Sequence, residues 1–173
     1  MYRFNNVNLD KLTETYHPGF YMNCLSEFSD VFYVTETPSG VIMGYVMGKV
    51  EETRDASPLH GHVTALTVSP EFRRLGLARK LMQTLEDVSE HLYGAWFVDL
   101  FVRVSNEVAI GMYKRLGYLV HRRVLGYYSS GPAEDGFDMR KPLARDRLRA
   151  SAVPMDRAVT PDEVGQALGK RVM

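Results

Sequence analysis

The stretch Trp96–Val104 constrains the fold of this chain more than any other. Apolar residues run through it almost without a break, interrupted mainly by Asp99 and Arg103. Such a run suits a strand at the centre of a sheet, covered on both faces. Its neighbours agree. A helix from about Leu77 to Leu92 precedes it, with Leu77, Leu81, Leu85, Val88 and Leu92 as one apolar stripe. A second helix, Asn106 to Leu116, follows and stops at Gly117, the residue type that ends helices in the left-handed region.

The rest of the chain adds strands at both ends. Residues 5–29 read as helical, with Leu9, Leu12, Tyr16, Phe20, Cys24 and Phe28 at spacings of three or four, broken into two helices at His17-Pro18-Gly19. Val31–Thr35 and Val41–Val50 flank the turn Pro38-Ser39-Gly40 as a hairpin, and Glu51–Gly61 is a polar loop. His62–Val68 is a strand stopped by Pro70, and the period of two predicts that His62, Thr64, Leu66 and Val68 share one face. Tyr118–Tyr128 is strand-like, Ser129–Gly136 a Gly/Pro loop and Phe137–Lys141 a last short strand. Strands interleaved with helices and a hairpin at each end predict a mixed α/β sheet. Residues 1–146 form the expected domain. A polar tail, 147–173, carries one short helix over 160–169, announced by the capping-box pattern Thr160-Pro161-Asp162-Glu163.

Composition excludes several classes of function. The chain has 173 residues and a formal net charge of zero, which argues against direct nucleic-acid or acidic-membrane binding. No apolar run is long enough to span a bilayer, and the opening Met1-Tyr2-Arg3-Phe4 is not a signal peptide. A lone Cys24 permits no intrachain disulfide, which fits a reducing, cytoplasmic setting. Between Met22 and Leu25 it reads as a buried structural thiol.

The chemistry sits in Val68-Ser-Pro-Glu-Phe-Arg73-Arg74-Leu75-Gly76-Leu77-Ala78. A strand ends, a basic turn follows, and a helix opens at once. The first turn of a helix has unsatisfied N–H groups and partial positive charge. Gly76 and Ala78 leave room for a phosphate to approach the backbone, and Arg73 and Arg74 supply full charges. It is not a Walker loop, because no Gly-Lys-Ser/Thr is present. It is not a dinucleotide fingerprint, because two of the three glycines are missing.

Arg73-x-x-Gly76-x-Ala78 resembles the acetyl-CoA pyrophosphate loop of the GNAT superfamily. Asn106-x-x-Ala109-x-x-x-Tyr113-x-x-Leu116-Gly117-Tyr118 is similar to that family's C-terminal signature, one strand further on. His60-Gly-His62-Val-Thr64-Ala-Leu66, Phe97–Asn106, Asp138-Met-Arg-Lys141 and the opening Arg3–Asp10 resemble the NatB family of N-terminal acetyltransferase catalytic subunits, over residues 3 to about 146. The implied fold is the GNAT fold, a mixed, mostly antiparallel sheet flanked by helices. GNAT proteins usually begin with a strand ahead of the first helix; this sequence opens inside that helix, so either the first strand is missing, which would expose a sheet edge, or the true start lies upstream.

The resemblance implies transfer of acetyl from acetyl-CoA, without a metal, to the α-amine of nascent chains starting Met-Asp, Met-Glu, Met-Asn or Met-Gln. It implies that the strand at Leu66, Thr67 and Val68 pairs with the pantetheine arm. Arg73, Arg74, Leu75, Gly76, Leu77 and Ala78 then hold the pyrophosphate, and Asn106 and Tyr113 contact the cofactor. Tyr113 is the position of a general acid to the CoA sulfur. The base is His62 or a bound water, since an α-amine has a pKa of roughly 7.7–8.0 against roughly 10.4 for lysine and needs about 3.5 kcal/mol less deprotonation work. Glu14, Tyr16, His62, Thr64, Tyr127 and Tyr128 are the expected peptide contacts, and Asp99 is expected to be a paired structural carboxylate. A larger auxiliary subunit of helical repeats is the implied partner, tying the enzyme to the ribosome, with segment 5–29 and Arg145, Arg147 and Arg149 as docking surfaces. Two other readings stay open on the residues alone: a GNAT protein acetylating lysine or a small amine, and a non-catalytic module that binds acyl-CoA.

Overall fold

The computed structural model describes Val7 and residues 15–52, 58–129 and 132–168. Among these residues one sheet of six strands forms, in the order β1-β2-β3-β4-β6-β5. Helix α1 (Pro18–Glu27) leads into β1 (Phe32–Glu36) and β2 (Ile42–Glu51), then β3 (His60–Val68), α2 (Leu77–His91) and β4 (Phe97–Arg103). Helix α3 (Glu107–Arg115), β5 (Leu119–Tyr128), β6 (Glu134–Pro142) and α4 (Pro161–Leu168) complete it. Every neighbouring pair is antiparallel except β3 and β4, which are parallel and joined through α2. No helix among the described residues is long and apolar enough to cross a membrane.

Local chemistry sets the boundaries. Pro18 cannot extend a preceding helix, but at the first turn its missing N–H costs nothing. His17 caps that turn, its Nδ1 accepting from the Gly19 N–H at 3.1 Å. At the start of α3, Asn106 Oδ1 accepts from the Ala109 N–H at 3.1 Å. Gly117 (φ +96°) follows that helix in the left-handed region.

The main core lies between one face of the sheet and the pair α2/α3, where Val46, Val63, Leu81, Leu85, Val98, Leu100 and Met139 meet. Glycine brings α2 that close: a Cβ on Gly61 would stand 2.3 Å from Ser89 Oγ, and one on Gly48 would stand 2.6 Å from Leu85 Cδ1. The buried stripe of α2 differs from the expected one. Leu92 is exposed, whereas Met82, Glu86 and Ser89 join Leu81 and Leu85 in the interior. Glu86 is tolerated there because the Tyr118 hydroxyl donates to it at 2.9 Å and Lys141 Nζ at 2.5 Å.

Three further expectations need correction. His62, Thr64, Leu66 and Val68 do not share a face. Met47 pairs with Ala65 and Gly48 with Val63, so Thr64 is an extra residue, a β-bulge, and the alternation changes phase across it. Leu66 and Val68 therefore pack with Val63 toward α2 and α3, while His60 and His62 lie on the opposite face against Phe97 and Phe101. The last strand is also longer than Phe137–Lys141. β6 begins at Glu134, which pairs with Tyr128, and it sits inside the sheet between β4 and β5.

The residues after 146 form more than a solvated tail. Ala152, Val159 and Val164 are buried. Val159 bonds through its backbone to Arg123 and Leu125, and Met155 to His121, so this segment lies along the outer edge of β5. The Thr160 capping box does form, the Thr160 N–H donating to Glu163 at 2.8 Å ahead of α4. Of the expected helix ahead of His17, Val7 is helical and residues 15–16 are not; the rest of it, like residues 53–57 of the expected loop Glu51–Gly61, falls outside the described residues.

Candidate active site

The bulge that dephases β3 also opens the sheet. β3 and β4 are paired only from His60/Phe97 to Val63/Leu100. Beyond that point no ladder joins them among the described residues, which leaves a gap between the two strands from Thr64 onward.

The gap belongs to a cavity of about 700 Å³. One end is walled by Leu66, Val102, Asn106, Ala109 and Tyr113, and the other by Tyr16, Phe20, Lys49, Glu51, Tyr127 and Tyr128, with His62 and Thr64 between. Of the sequence-predicted residues, Tyr16, His62, Thr64, Leu66, Asn106, Tyr113, Tyr127 and Tyr128 are brought together here. Thr67, Val68 and Arg73 to Ala78 do not line it. Thr67 lies on the opposite face of β3, where its hydroxyl reaches the Val7 carbonyl at 3.4 Å. Glu14 lies outside the described residues.

The turn after β3 is tightly curled at the start of α2. Arg74 (φ +66°) and Gly76 (φ +80°) are both left-handed, so the backbone curls and gathers its N–H groups on one side. For Arg74 this conformation costs about 1–2 kcal/mol, strain of the kind found at functional turns. A Cβ built on Gly76 would meet nothing within 4 Å, which leaves space over the first turn of α2. Arg73 Nε donates to the Val68 carbonyl at 3.1 Å and so ties the turn to the strand end.

Burial shapes the titratable groups of the cavity. Tyr113 is 8% exposed, and burial pushes its phenol well above the ordinary value. Tyr127 is shifted the same way, again mainly by burial; its ring stacks on Phe101 at 4.3 Å, and Tyr128 stands across it at 5.0 Å. Arg103 lies 4.2 Å from the centre of the Tyr128 ring and donates to Glu134 at 3.1 Å. The Tyr16 hydroxyl donates to the Thr64 carbonyl at 3.3 Å, which fastens the segment ahead of α1 over the bulge. Thr64 Oγ1 is buried with no hydrogen-bond partner. Asn106 commits its oxygen to the α3 cap, leaving its NH₂ as the group available to a ligand.

The carboxylate expected to be paired has its partner. Asp99 Oδ1 lies 2.7 Å from His62 Nδ1. Burial alone would raise the Asp99 pKa, but the charge and hydrogen bond of His62, with His60 and Arg140 behind, outweigh it and hold the carboxyl well below the usual range. Several cavity residues escaped the sequence reading: Phe101, Arg103, Lys49, Glu51 and Glu27. Phe101 and Arg103 stand two and four residues beyond Asp99, so alternation along β4 carried a signal for them. Lys49 and Glu51 reach the site only through the β2–β3 register, which no local pattern encodes.

A sheet split beside a bulge lies next to a basic, left-handed helix start, and a buried tyrosine lines the cavity. Residues 3–118 match the acetyltransferase (GNAT) family model, and the chain belongs to that family. Over 162 residues it is 56% identical to the N-terminal acetyltransferase B complex catalytic subunit NAA20 of Arabidopsis thaliana, covering 94% of this chain and 91% of that one. It is 52% identical over 155 residues to the corresponding subunit of Schizosaccharomyces pombe, at 87% and 84% coverage. Among solved structures, Chaetomium thermophilum Naa20 in complex with a bisubstrate analogue superposes with a TM-score of 0.87 at 39% identity, covering 95% of this chain and 94% of that one. The NatB acetyltransferase complex bound to a bisubstrate inhibitor gives 0.81 at 38% identity, with 94% and 93% covered. Within the family the chain is an N-terminal acetyltransferase of the NatB type, with acetyl-CoA as its acyl donor.

Proposed function

We propose that the chain acetylates proteins beginning with Met followed by Asp, Glu, Asn or Gln, as the catalytic partner of a larger helical-repeat subunit that holds it at ribosomes in the cytoplasm. The observation that supports this reading most is the single cavity running from Tyr113 and Asn106, past Thr64, to His62, Tyr16 and the Tyr127–Tyr128 pair. An acyl donor threaded through the split between β3 and β4 would meet a peptide N-terminus entering from the tyrosine end. The two reactants would then be held in line, which removes much of the entropic part of the barrier.

The residues divide the work. The turn at Arg73 to Ala78 binds the pyrophosphate, and the backbone at Leu66 to Val68 pairs with the pantetheine amides. The lone pair of the α-amine forms the new N–C bond to the acetyl carbonyl, and the C–S bond breaks. The amine proton leaves to His62 where that ring is neutral and to water where it is charged, and the Tyr113 hydroxyl protonates the departing sulfur. Burial disfavours the Tyr113 phenolate, but the same dry cleft disfavours the thiolate, so both acids rise together and the proton transfer stays accessible. Glu14 attracts the substrate ammonium. Thr64 Oγ1, buried without a partner, is available for the polar side chain of the second residue, and the Tyr127–Tyr128 pair clamps the peptide backbone. Phe20 and Met22 are exposed on α1 and offer an apolar face to the auxiliary subunit; the relatives are named as subunits of a complex.

The test is acetyl transfer to peptides that differ only in their first two residues, with and without the auxiliary subunit. Strong preference for Met-Asp, Met-Glu, Met-Asn and Met-Gln is expected. Equal activity on Ser- or Ala-starting peptides, or on internal lysine alone, would overturn the substrate assignment.

A further inference from the structure

His62 faces the cavity on one edge of its ring and a buried carboxylate on the other. Asp99 is 1% exposed and His62 6% exposed, and their hydrogen bond is 2.7 Å long. An ionised carboxylate only accepts hydrogen bonds. Nδ1 must therefore carry a proton, and the tautomer follows from the geometry: Nε2 is the atom that the ring offers to the cavity. No described residue supplies Nε2 with a hydrogen bond.

That arrangement gives Nε2 two opposite characters. In the neutral ring it is an acceptor; in the imidazolium it is a charge-assisted donor. The carboxylate of a second-position Asp or Glu can only accept, so it needs the imidazolium. The amide of Asn or Gln has both an oxygen and an NH₂, and turning the amide satisfies either form of the ring. Resting on the proposed seat of the second residue beside His62 and Thr64, we infer that Asp99 is a positioning residue for substrate choice. It pins Nδ1–H inward and aims Nε2 at the substrate, so that the charge state of His62 decides between acidic and amide second residues.

The groups facing this pair are few. His60 lies on the same strand, its Nε2 3.7 Å from Asp99 Oδ2. Arg140 approaches from β6 and Tyr127 from β5. The Lys49–Glu51 ion pair lies across on β2, where Lys49 is the register partner of His62. Tyr16 closes the cavity from ahead of α1. His60 is the other histidine beside Asp99, so it needs its own control.

The experiment compares kcat/KM for Met-Asp and Met-Asn peptides of otherwise identical sequence, from about pH 5.5 to 8.5, the range in which histidine changes charge. The enzyme is used with its auxiliary subunit. Titration of the α-amine is common to both peptides and cancels in the ratio. The Asp-to-Asn ratio should fall about tenfold across that range, the difference between a charge-assisted and a lost hydrogen bond. His60→Gln should keep that slope. Asp99→Asn should flatten it and lower activity on Met-Asp about tenfold more than on Met-Asn, with the KM for acetyl-CoA unchanged. Because Asp99→Asn disturbs a buried pair, the ¹⁵N shifts of His62 in the unaltered enzyme give an independent reading: Nδ1 should carry its proton at every pH tested. A ratio independent of pH, or an Nδ1 without its proton, would overturn the inference and leave the substrate class intact. Loss of preference over Ser-starting peptides would instead strike the substrate reading on which it rests.

Discussion

The two faces of β4 are equally dry and do different things. Toward α2 and α3, Val98, Leu100 and Val102 are 0%, 1% and 5% exposed and pack in the main apolar cluster, with Leu100 and Val102 also reaching the cavity wall. On the other face Phe97 and Asp99 are 2% and 1% exposed, yet they touch His60, His62 and the guanidinium of Arg140. Burial does not tell core from site here. The partners do: a dry apolar face gains from removing area from water, whereas a dry charged face is tolerable only where each charge has a counterpart.

Tyr113 belongs to both regions, packed in the apolar core cluster and lining the cavity, and it should give the largest effect. Tyr113→Phe should reduce kcat by about 10²–10⁴-fold, the usual worth of a general acid. Its melting temperature should barely move, because the ring still fills the same space. Retained kcat in single-turnover assays would remove Tyr113 from the chemistry and make it a core residue.

Leu85→Ala should sharpen the contrast from the apolar side, since Leu85 packs in the cluster under α2 and does not line the cavity. Denaturant unfolding should show a loss of about 2–5 kcal/mol, the range for truncating a buried leucine. The fraction that remains folded should still discriminate among second residues as the unaltered enzyme does. A changed discrimination would mean that the two faces of β4 are coupled more tightly than their separate packing implies.

The smallest effect is expected at a distance. Val159 and Val164 pack with Val124 beneath Phe101 and Tyr127, so the segment beyond residue 146 supports the wall that carries the tyrosine pair. Val164→Ala should cost about 1–2 kcal/mol. In steady-state kinetics it should raise the peptide KM a few-fold and leave the KM for acetyl-CoA alone. An unchanged peptide KM would make this segment a cover for the sheet edge and nothing more.

Much of this molecule was legible beforehand, and the reason is local. The apolar run of β4, the stop at Pro70, the capped starts at Asn106 and Thr160 and the left-handed end at Gly117 depend on nearest neighbours or on short periodicities. The helix start that follows Arg73 and Gly76 was legible on the same ground, since a helix terminus depends on the residues beside it. β6 was read too short because Asp135 and Gly136 carry turn signals. Their strand is enforced instead by β4 and β5 on either side, with Arg123 Nε donating to Asp135 at 2.7 Å. Glu86 is buried through similarly distant contacts, since Tyr118 and Lys141, far away in the chain, are what hold it inside.

The sequence by itself thus determined most of the elements, their order, the basic helix start after β3 and the family, all of which follow from residues within a few positions of one another. Tertiary structure decided the rest. Only the pairing of β2 with β3 reveals the bulge at Thr64, which turns His62 away from the Leu66 face and parts β3 from β4. Only the packing of β3 beside β4 puts His62 against Asp99, 37 positions along the chain. Strand register and burial are properties of contacts between distant segments, and the cavity, its charges and its selectivity are made of those contacts.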